Sequence, residues 1–277
     1  MVRSGPLRTF LLSTRCLSVC LSLSLSLSLS LSLDSETAKQ DTNTNFEYRY
    51  NFYLEMRRMQ LPNRFWRVTK INQQYDLCDT YPALLIVPRT VSDKVVKQAS
   101  KYRSRNRIPT LCWRHRKTGA AMLRCSQPCS GIAGSHSEQD ETLINSAHAA
   151  NPSNSKKRFV IIDARPILNA VANQMKGKGY EDVNESHYTC CDPVEFMNIG
   201  NIHVMRRSLN SLLEDCQDIV MGLACSLDGM DEWFGHISLV LQAAVRVSKL
   251  MHIEGRSTLV RGRVGQWRSL EAVCYCI

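Results

Sequence analysis

Four consecutive large apolar residues, Phe159-Val160-Ile161-Ile162, lie between the polar loop 151–157 and a helix entered at Pro166. No other feature constrains the fold as strongly. An unbroken apolar run of this length, bounded by turn signals, reads as a buried strand. Proline suits the first turn of the next helix because the amide it lacks has no intrahelical partner there. Gly177 and Gly179 then end that helix. The same alternation runs from Asn51 onward. Residues 83–87 form a short apolar run closed by Pro88, and Ser92 is placed to cap a helix carrying Val95, Val96 and Ala99. Segments 108–113 and 120–125 read as a hairpin around the polar, glycine-containing stretch 114–119. Ser137-Glu138-Gln139-Asp140 opens a helix to about residue 150, with Asp140 where a capping box usually has Glu or Gln. A strand is predicted over 194–199 and a helix over 204–216. The longest helix, 231–252, carries a stripe of Trp233, Phe234, Ile237, Leu241, Ala244, Val245, Ser248 and Leu250. Gly255 stops it and a last strand begins at 257–260. The prediction is an α/β fold, a central sheet flanked by helices.

The first 50 residues have a different texture. Arg3 and Arg8 precede a short apolar stretch, and residues 21–33 alternate Leu and Ser strictly up to Asp34. A basic start followed by apolar residues resembles a secretory signal. Yet every second residue of the repeat is Ser, no small-residue cleavage site follows, and the ~20 predominantly apolar residues of a spanning helix are missing. A translated dinucleotide repeat explains the alternation more simply, and 34–50 reads as a polar linker. Segment 1–50 is therefore expected to be low-complexity and disordered.

The charge balance, 35 Lys plus Arg against 25 Asp plus Glu, leaves a net charge of +10 and points to an anionic partner. Nucleic acid is disfavoured, because the basic runs are dispersed and no reading motif accompanies them. Twelve cysteines are scattered without a framework or a CxxC pair, which favours a reducing compartment. His187 with Cys190 and Cys191 is the nearest zinc-like pattern, and it lacks a second pair at zinc-site spacing. No metal and no cofactor is expected. The chain also has no GxGxxG, Walker loop, GxSxG or HExxH, and none of its cysteines has an arginine six residues on. That last spacing matters because a Cys-x5-Arg loop wraps backbone amides around one phosphate while the thiolate attacks and the arginine neutralises the oxygens.

Longer strings carry the positive signal. In order they include Met59-Gln60-Leu61-Pro62-Asn63, Trp66-Arg67, Tyr75-Asp76-Leu77-Cys78-Asp79-Thr80-Tyr81-Pro82 and Tyr102-Arg103-Ser104-Arg105-Asn106-Arg107-Ile108-Pro109. They continue with Asp163-Ala164-Arg165-Pro166, Asn169-Ala170-Val171-Ala172-Asn173, Gly177-Lys178-Gly179-Tyr180-Glu181 and Asn201-Ile202-His203-Val204-Met205-Arg206. Over about 56–260 this series resembles the myotubularin-related phosphoinositide phosphatases. The resemblance implies a cysteine-phosphatase-like central sheet and metal-free removal of the 3-phosphate from phosphatidylinositol 3-phosphate and the 3,5-bisphosphate. It also implies phosphoinositide headgroups as partners, homo- or hetero-oligomers with other myotubularins, and a cytoplasmic protein peripheral to endosomal-type membranes.

In that family the strand matching 257–260 runs into His-Cys-Ser-Asp-Gly-Trp-Asp-Arg, whereas here Val260 is followed by Arg261-Gly262-Arg263-Val264-Gly265. The expected organisation is thus a low-complexity segment 1–50, a partial phosphatase domain 51–260 truncated before the catalytic loop, and a divergent tail 261–277. The chain as written is expected to be inactive, with no catalytic residue. The alternative is an adaptor or regulatory partner of an active relative.

By the resemblance, Asn173, Asn201 and Ile202 are substrate-binding positions. A carboxamide both donates and accepts toward ring hydroxyls. Without the resemblance, Asn173 reads as a helix-end residue and Asn201 as a turn. His203 reads as a packed structural histidine. Arg103, Arg105 and Arg107 either face lipid phosphates or form a solvated edge of locally paired arginines. Arg165 beside Asp163 is expected to brace a strand-to-helix corner by forked hydrogen bonds.

Overall fold

The computed structural model describes residues 51–151, 157–223 and 227–262, all within the unit Phe46–Tyr275. The Leu-Ser segment, Cys16, Cys20, Cys225, Cys274, Cys276 and the tail beyond 262 lie outside the described residues.

Helix α1 (Phe52–Arg58) leads into β1 (Trp66–Thr69), which pairs antiparallel with β2 (Leu85–Pro88). The main sheet has five strands in the order β3 (Thr110–Arg114), β4 (Ala121–Cys125), β7 (Thr258–Arg261), β5 (Val160–Asp163), β6 (Glu195–Phe196). β3 and β4 form the expected antiparallel hairpin, and β4, β7, β5 and β6 run parallel. Helices α2 (Asp93–Tyr102), α3 (Glu138–Ala149), α4 (Ile167–Gln174), α5 (Ile202–Val220) and α6 (Asp228–His252) complete the fold. Every residue of β5 and of β7 is buried, so both faces of the sheet centre are covered. One core cluster gathers Leu123, Ile144, Phe159, Ile161 and Leu259, and a second gathers Leu85, Val87, Val96, Ile108 and Leu143. No helix among the described residues is long and apolar enough to cross a membrane.

Caps set several boundaries. Ser92 Oγ accepts from Val95 N, and Ser137 Oγ accepts from Asp140 N. The capping box at Ser137 is only half made, because the Asp140 carboxylate turns inward to Arg103. α5 begins at Ile202 and not at 204, because Asn201 Oδ1 accepts from His203 N and Val204 N. α6 begins at Asp228 and not at 231. Its N-cap Leu227 provides no side-chain acceptor, and Asp215 of α5 accepts from Met230 N at 3.1 Å instead.

Other expectations are corrected. Strand 194–199 shrinks to β6, because Asn198 takes a left-handed conformation (φ 57°) and ends the regular ladder. The buried stripe of α6 is Trp233, Val240, Ala243, Ala244, Val247, Leu250 and Met251, and it leaves Phe234 and Val245 exposed. Gly229 explains how closely α6 crosses α5, since a Cβ there would sit 2.4 Å from the Ser211 carbonyl carbon. Strand β1 and helix α1 carry too short a pattern to have been predicted.

Candidate functional site

A cleft of ≈ 410 Å³ opens where β4, β5 and β7 end. This is the edge at which parallel α/β sheets bind ligands, because strand-to-helix connections diverge there. Each strand contributes the residues that follow it: Ser126 and Gln127 after β4, Arg165 after β5, and Arg261 with Gly262 at the end of β7. The turn after α2 adds Ser104, Arg105 and Arg107, and α4 with its exit loop adds Asn173, Lys176 and Lys178. Six of these side chains are basic, and no carboxylate stands among the described lining residues. The charge favours an anion.

The turn carrying the arginines is strained. Arg105 (φ 56°) and Asn106 (φ 55°) are both left-handed, a conformation costing a non-glycine residue roughly 1–2 kcal/mol. Surrounding bonds hold it, including Ser104 N to Gln127 O (3.0 Å), Ser126 Oγ to Ser104 O (2.6 Å) and Ser126 N to Arg107 O (3.1 Å). The result turns Arg105 and Arg107 to the cleft while Arg103 points inward. Arg107 donates to Thr80 Oγ1 at 2.8 Å. Arg105, Lys176 and Lys178 make no side-chain hydrogen bond or ion pair among the described residues, which leaves their charges available.

Behind the cleft lies a buried chain of alternating charges, Asp140, Arg103, Glu181, Arg261, Asp163 and Arg165. Arg103 is forked onto Asp140 (Nε to Oδ1 2.8 Å, Nη2 to Oδ2 2.5 Å) and donates to Glu181 Oε1 at 2.5 Å. Tyr188 O–H adds a bond to Asp140 at 2.9 Å. Arg261 is within ion-pair reach of Glu181 and of Asp163, but its N–H groups make no aligned hydrogen bond. Charge proximity holds it more than directed bonding. Burial opposes ionisation of Glu181, yet Arg261 and Arg103 outweigh it and keep the carboxyl below its ordinary range. Burial likewise opposes the charge on Arg103, and Asp140, Cys125 and Glu181 hold it well above its ordinary value.

Arg165 shows the forked corner that its sequence context predicts. Its Nε and Nη2 reach Asp163 at 3.0 and 2.8 Å, and Nη2 also donates to Gly179 O at 3.1 Å. Gly179 has no room for a side chain at this corner, because a Cβ there would fall 2.5 Å from Ser130 Oγ and 2.9 Å from Gln174 Cγ. The remaining Nη1 donates to Gln127 Oε1 at 2.5 Å, so the corner also shapes the cleft wall. Arg103 fits neither of the two readings of the arginine run, because it is 1% exposed and paired with carboxylates distant in sequence.

Of the three predicted substrate positions, Asn173 lines the cleft, whereas Asn201 and Ile202 are not among its lining residues. Asn201 caps α5 and Ile202 is its first helical residue. Sequence reasoning missed Lys176, Lys178 and Gln127 as cleft residues. The two lysines flank Gly177, whose left-handed φ of 69° turns the chain after α4, and that pattern was the available signal. Cys125 lies near the cleft but cannot attack. It is buried, and burial pushes its thiol up to about 12.

Comparison with known proteins matches residues 30–274 to the family model described as a myotubularin-like phosphatase domain. The chain is 42% identical over 208 residues to the mouse (Mus musculus) phosphatidylinositol-3,5-bisphosphate 3-phosphatase MTMR2, covering 75% of this chain and 31% of that protein. It is 43% identical over 212 residues to Xenopus laevis myotubularin, covering 74% and 33% respectively. It is 40% identical over 225 residues to the Gallus gallus phosphatidylinositol-3,5-bisphosphate 3-phosphatase MTMR8, covering 80% and 34%. The chain thus spans about a third of the length of these curated relatives.

Proposed function

The chain belongs to the myotubularin-like phosphatase family, and on that premise we propose that its cleft holds the phosphorylated inositol headgroup of a phosphatidylinositol 3-phosphate or 3,5-bisphosphate. The observation that carries this reading is a cleft at the strand ends lined by six basic side chains and by no carboxylate among the described lining residues, with Arg105, Lys176 and Lys178 not committed to the buried carboxylates that hold Arg165 and Arg261. Two or more phosphates on one ring give several anionic oxygens, and separated arginines and lysines match them as donors. Asn173 is assigned to the ring hydroxyls, with Asn201 and Ile202 at the rim of the same headgroup. The substrate sits in a bilayer, so the protein works from the membrane surface.

Turnover is a separate matter. Within these 277 residues no cysteine precedes an arginine at the phosphatase spacing, and the residue after Arg261 on the strand leading to the cleft is Gly262. A binding role without hydrolysis follows for the chain as written. The same observation favours a second reading, that it serves as the inactive partner of an active relative.

Calorimetric titration with soluble inositol 1,3-bisphosphate and with inositol 1-phosphate tests the cleft assignment. Tighter binding of the bisphosphate is expected, abolished by joint substitution of Arg105 and Lys176 with Ala. Equal affinity for the two ligands, or binding indifferent to the double substitution, overturns it.

A further inference from the structure

Cys190 and Cys191 are adjacent in sequence, and their sulfurs lie 3.6 Å apart. They stand on the segment leading to β6 and are not among the cleft's lining residues. Cys190 is half-buried and Cys191 fully buried, so Cys190 is the more accessible of the two. The histidine nearest in sequence does not join them, because His187 Nδ1 is paired with Glu141 Oε1 at 3.0 Å and its ring stacks on His136 at 4.1 Å. We infer that Cys190 and Cys191 form a modification site at which hydrogen peroxide oxidises the pair to a vicinal disulfide.

The two sulfurs have distinct roles. A hydrogen bond from the Cys191 thiol lowers the Cys190 pKa against the opposing effect of burial, and the nearby Arg158 adds to the lowering. Cys191 is raised by the same hydrogen bond and by burial. Cys190 is the attacking thiolate, since it is the less buried of the two and the thiolate is the reactive form. Its sulfur bonds to one peroxide oxygen, the O–O bond breaks, and the departing hydroxide takes a proton to become water. Cys190 is now a sulfenic acid. The Cys191 sulfur then bonds to the Cys190 sulfur, the S–O bond breaks, and the leaving hydroxide takes the Cys191 proton as a second water. Two thiols are oxidised by two electrons in all, and one hydrogen peroxide is reduced.

The product is built to be reversible. Adjacent Cα atoms sit about 3.8 Å apart, less than the ~4.4 Å at which ordinary disulfides begin. Such a bond is strained, and strained disulfides are the easily reduced ones. The backbone around it is engaged: Cys190 O accepts from Phe159 N, Cys191 N donates to Tyr188 O, and Asp192 N donates to Phe159 O, each at 2.8 Å. Closing the ring twists the peptide between the two cysteines and loosens these bonds at the entrance to β5. Oxidation should thus be felt beyond the pair, at Phe159 and at Tyr188, whose hydroxyl holds Asp140.

Peptide mapping of the full chain tests this directly. Trypsin cleaves after Lys178 and after Arg206, and the peptide between them contains Cys190 and Cys191 as its sole cysteines. After hydrogen peroxide, denaturation and alkylation, that peptide should appear unalkylated and two hydrogens lighter. Dithiothreitol before alkylation should restore the doubly alkylated form. In Cys191→Ser, dimedone should trap a sulfenic acid on Cys190, and in Cys190→Ser the remaining thiol should stay alkylatable. Hydrogen exchange at the Phe159 amide should rise on oxidation. A peptide that stays doubly alkylated while other cysteines oxidise, a bond from Cys190 to a different peptide, or sulfinic acid on Cys190 beside an alkylated Cys191 each overturns the proposal.

Discussion

Asp163 and Arg261 are register partners on neighbouring parallel strands, and the Arg261 Nη2 also lies 3.0 Å from Asp163 Oδ2. One pair of residues therefore ties β5 to β7 through backbone ladder and charge together, at the strand ends where the cleft opens. Asp163 also takes the Arg165 fork, and Arg261 also faces Glu181, so the pair links the cleft wall to the buried charge chain.

Arg261→Met is expected to destabilise the domain by about 1–3 kcal/mol, less than the cost of a fully unpaired buried charge, because Asp163 keeps Arg165 and Glu181 keeps Arg103. The exposed pair Glu55 and Arg58 supplies the contrast, and Arg58→Met should change stability by no more than about 1 kcal/mol. Urea unfolding of the two variants beside the parent measures both. Equal small losses would show that the buried chain contributes no more than a surface pair.

Glu181 sets a pH dependence whose sign follows from its lowered pKa. Its unfolded value is about 4.3, and the folded value lies below that. The stability it contributes is fully present above the unfolded value and is lost as the pH falls through the folded one. The difference in unfolding free energy between the parent and Glu181→Gln should therefore be largest near neutral pH and shrink in acid. A difference that grows in acid contradicts the assignment.

Asn201 separates a cap from a ligand contact. Asn201→Ala should cost ~1 kcal/mol through loss of the cap, whereas Asn201→Ser keeps an acceptor for the same amides and should be nearly as stable as the parent. If the carboxamide also touches the headgroup, both variants lose affinity for inositol 1,3-bisphosphate. Full affinity in Asn201→Ser would leave Asn201 as a cap alone.

Headgroup binding through unpaired surface cations should weaken with salt, because exposed charges are screened beyond about 8–10 Å at physiological ionic strength. Arg105→Ala and Lys178→Ala should each reduce affinity several-fold without moving the unfolding transition, while Arg165→Ala, which removes the Asp163 fork, should lower stability first. Thermal melts read beside the titrations distinguish the two, and a loss of stability in Arg105→Ala would count against its assignment to the ligand.

No release of phosphate from phosphatidylinositol 3-phosphate is expected from the chain as written, because it holds no cysteine at phosphatase spacing from an arginine. Turnover above a heat-inactivated control, abolished in no single cysteine variant, would require a nucleophile of another kind.

Local chemistry was legible in the sequence wherever neighbours in the chain decide the outcome. Phe159 through Ile162 foretold the buried strand β5, Pro166 the helix after it, Ser92 and Ser137 their caps, and the glycine-containing turn the β3–β4 hairpin, because each depends on residues within a few positions. The ordered motifs likewise pointed to the family. Only the tertiary structure decided the fate of the arginines. Arg103, Arg105 and Arg107 read alike as an alternating basic run, yet one is buried and two face the cleft. The difference comes from Asp140 and Glu181, 37 and 78 residues further along, which the fold delivers to Arg103 alone. The same holds for Arg261, whose counter-charges reach it only when β7 inserts between β4 and β5. A buried charge is stable only beside its partner, and that partner is supplied by the packing of distant segments.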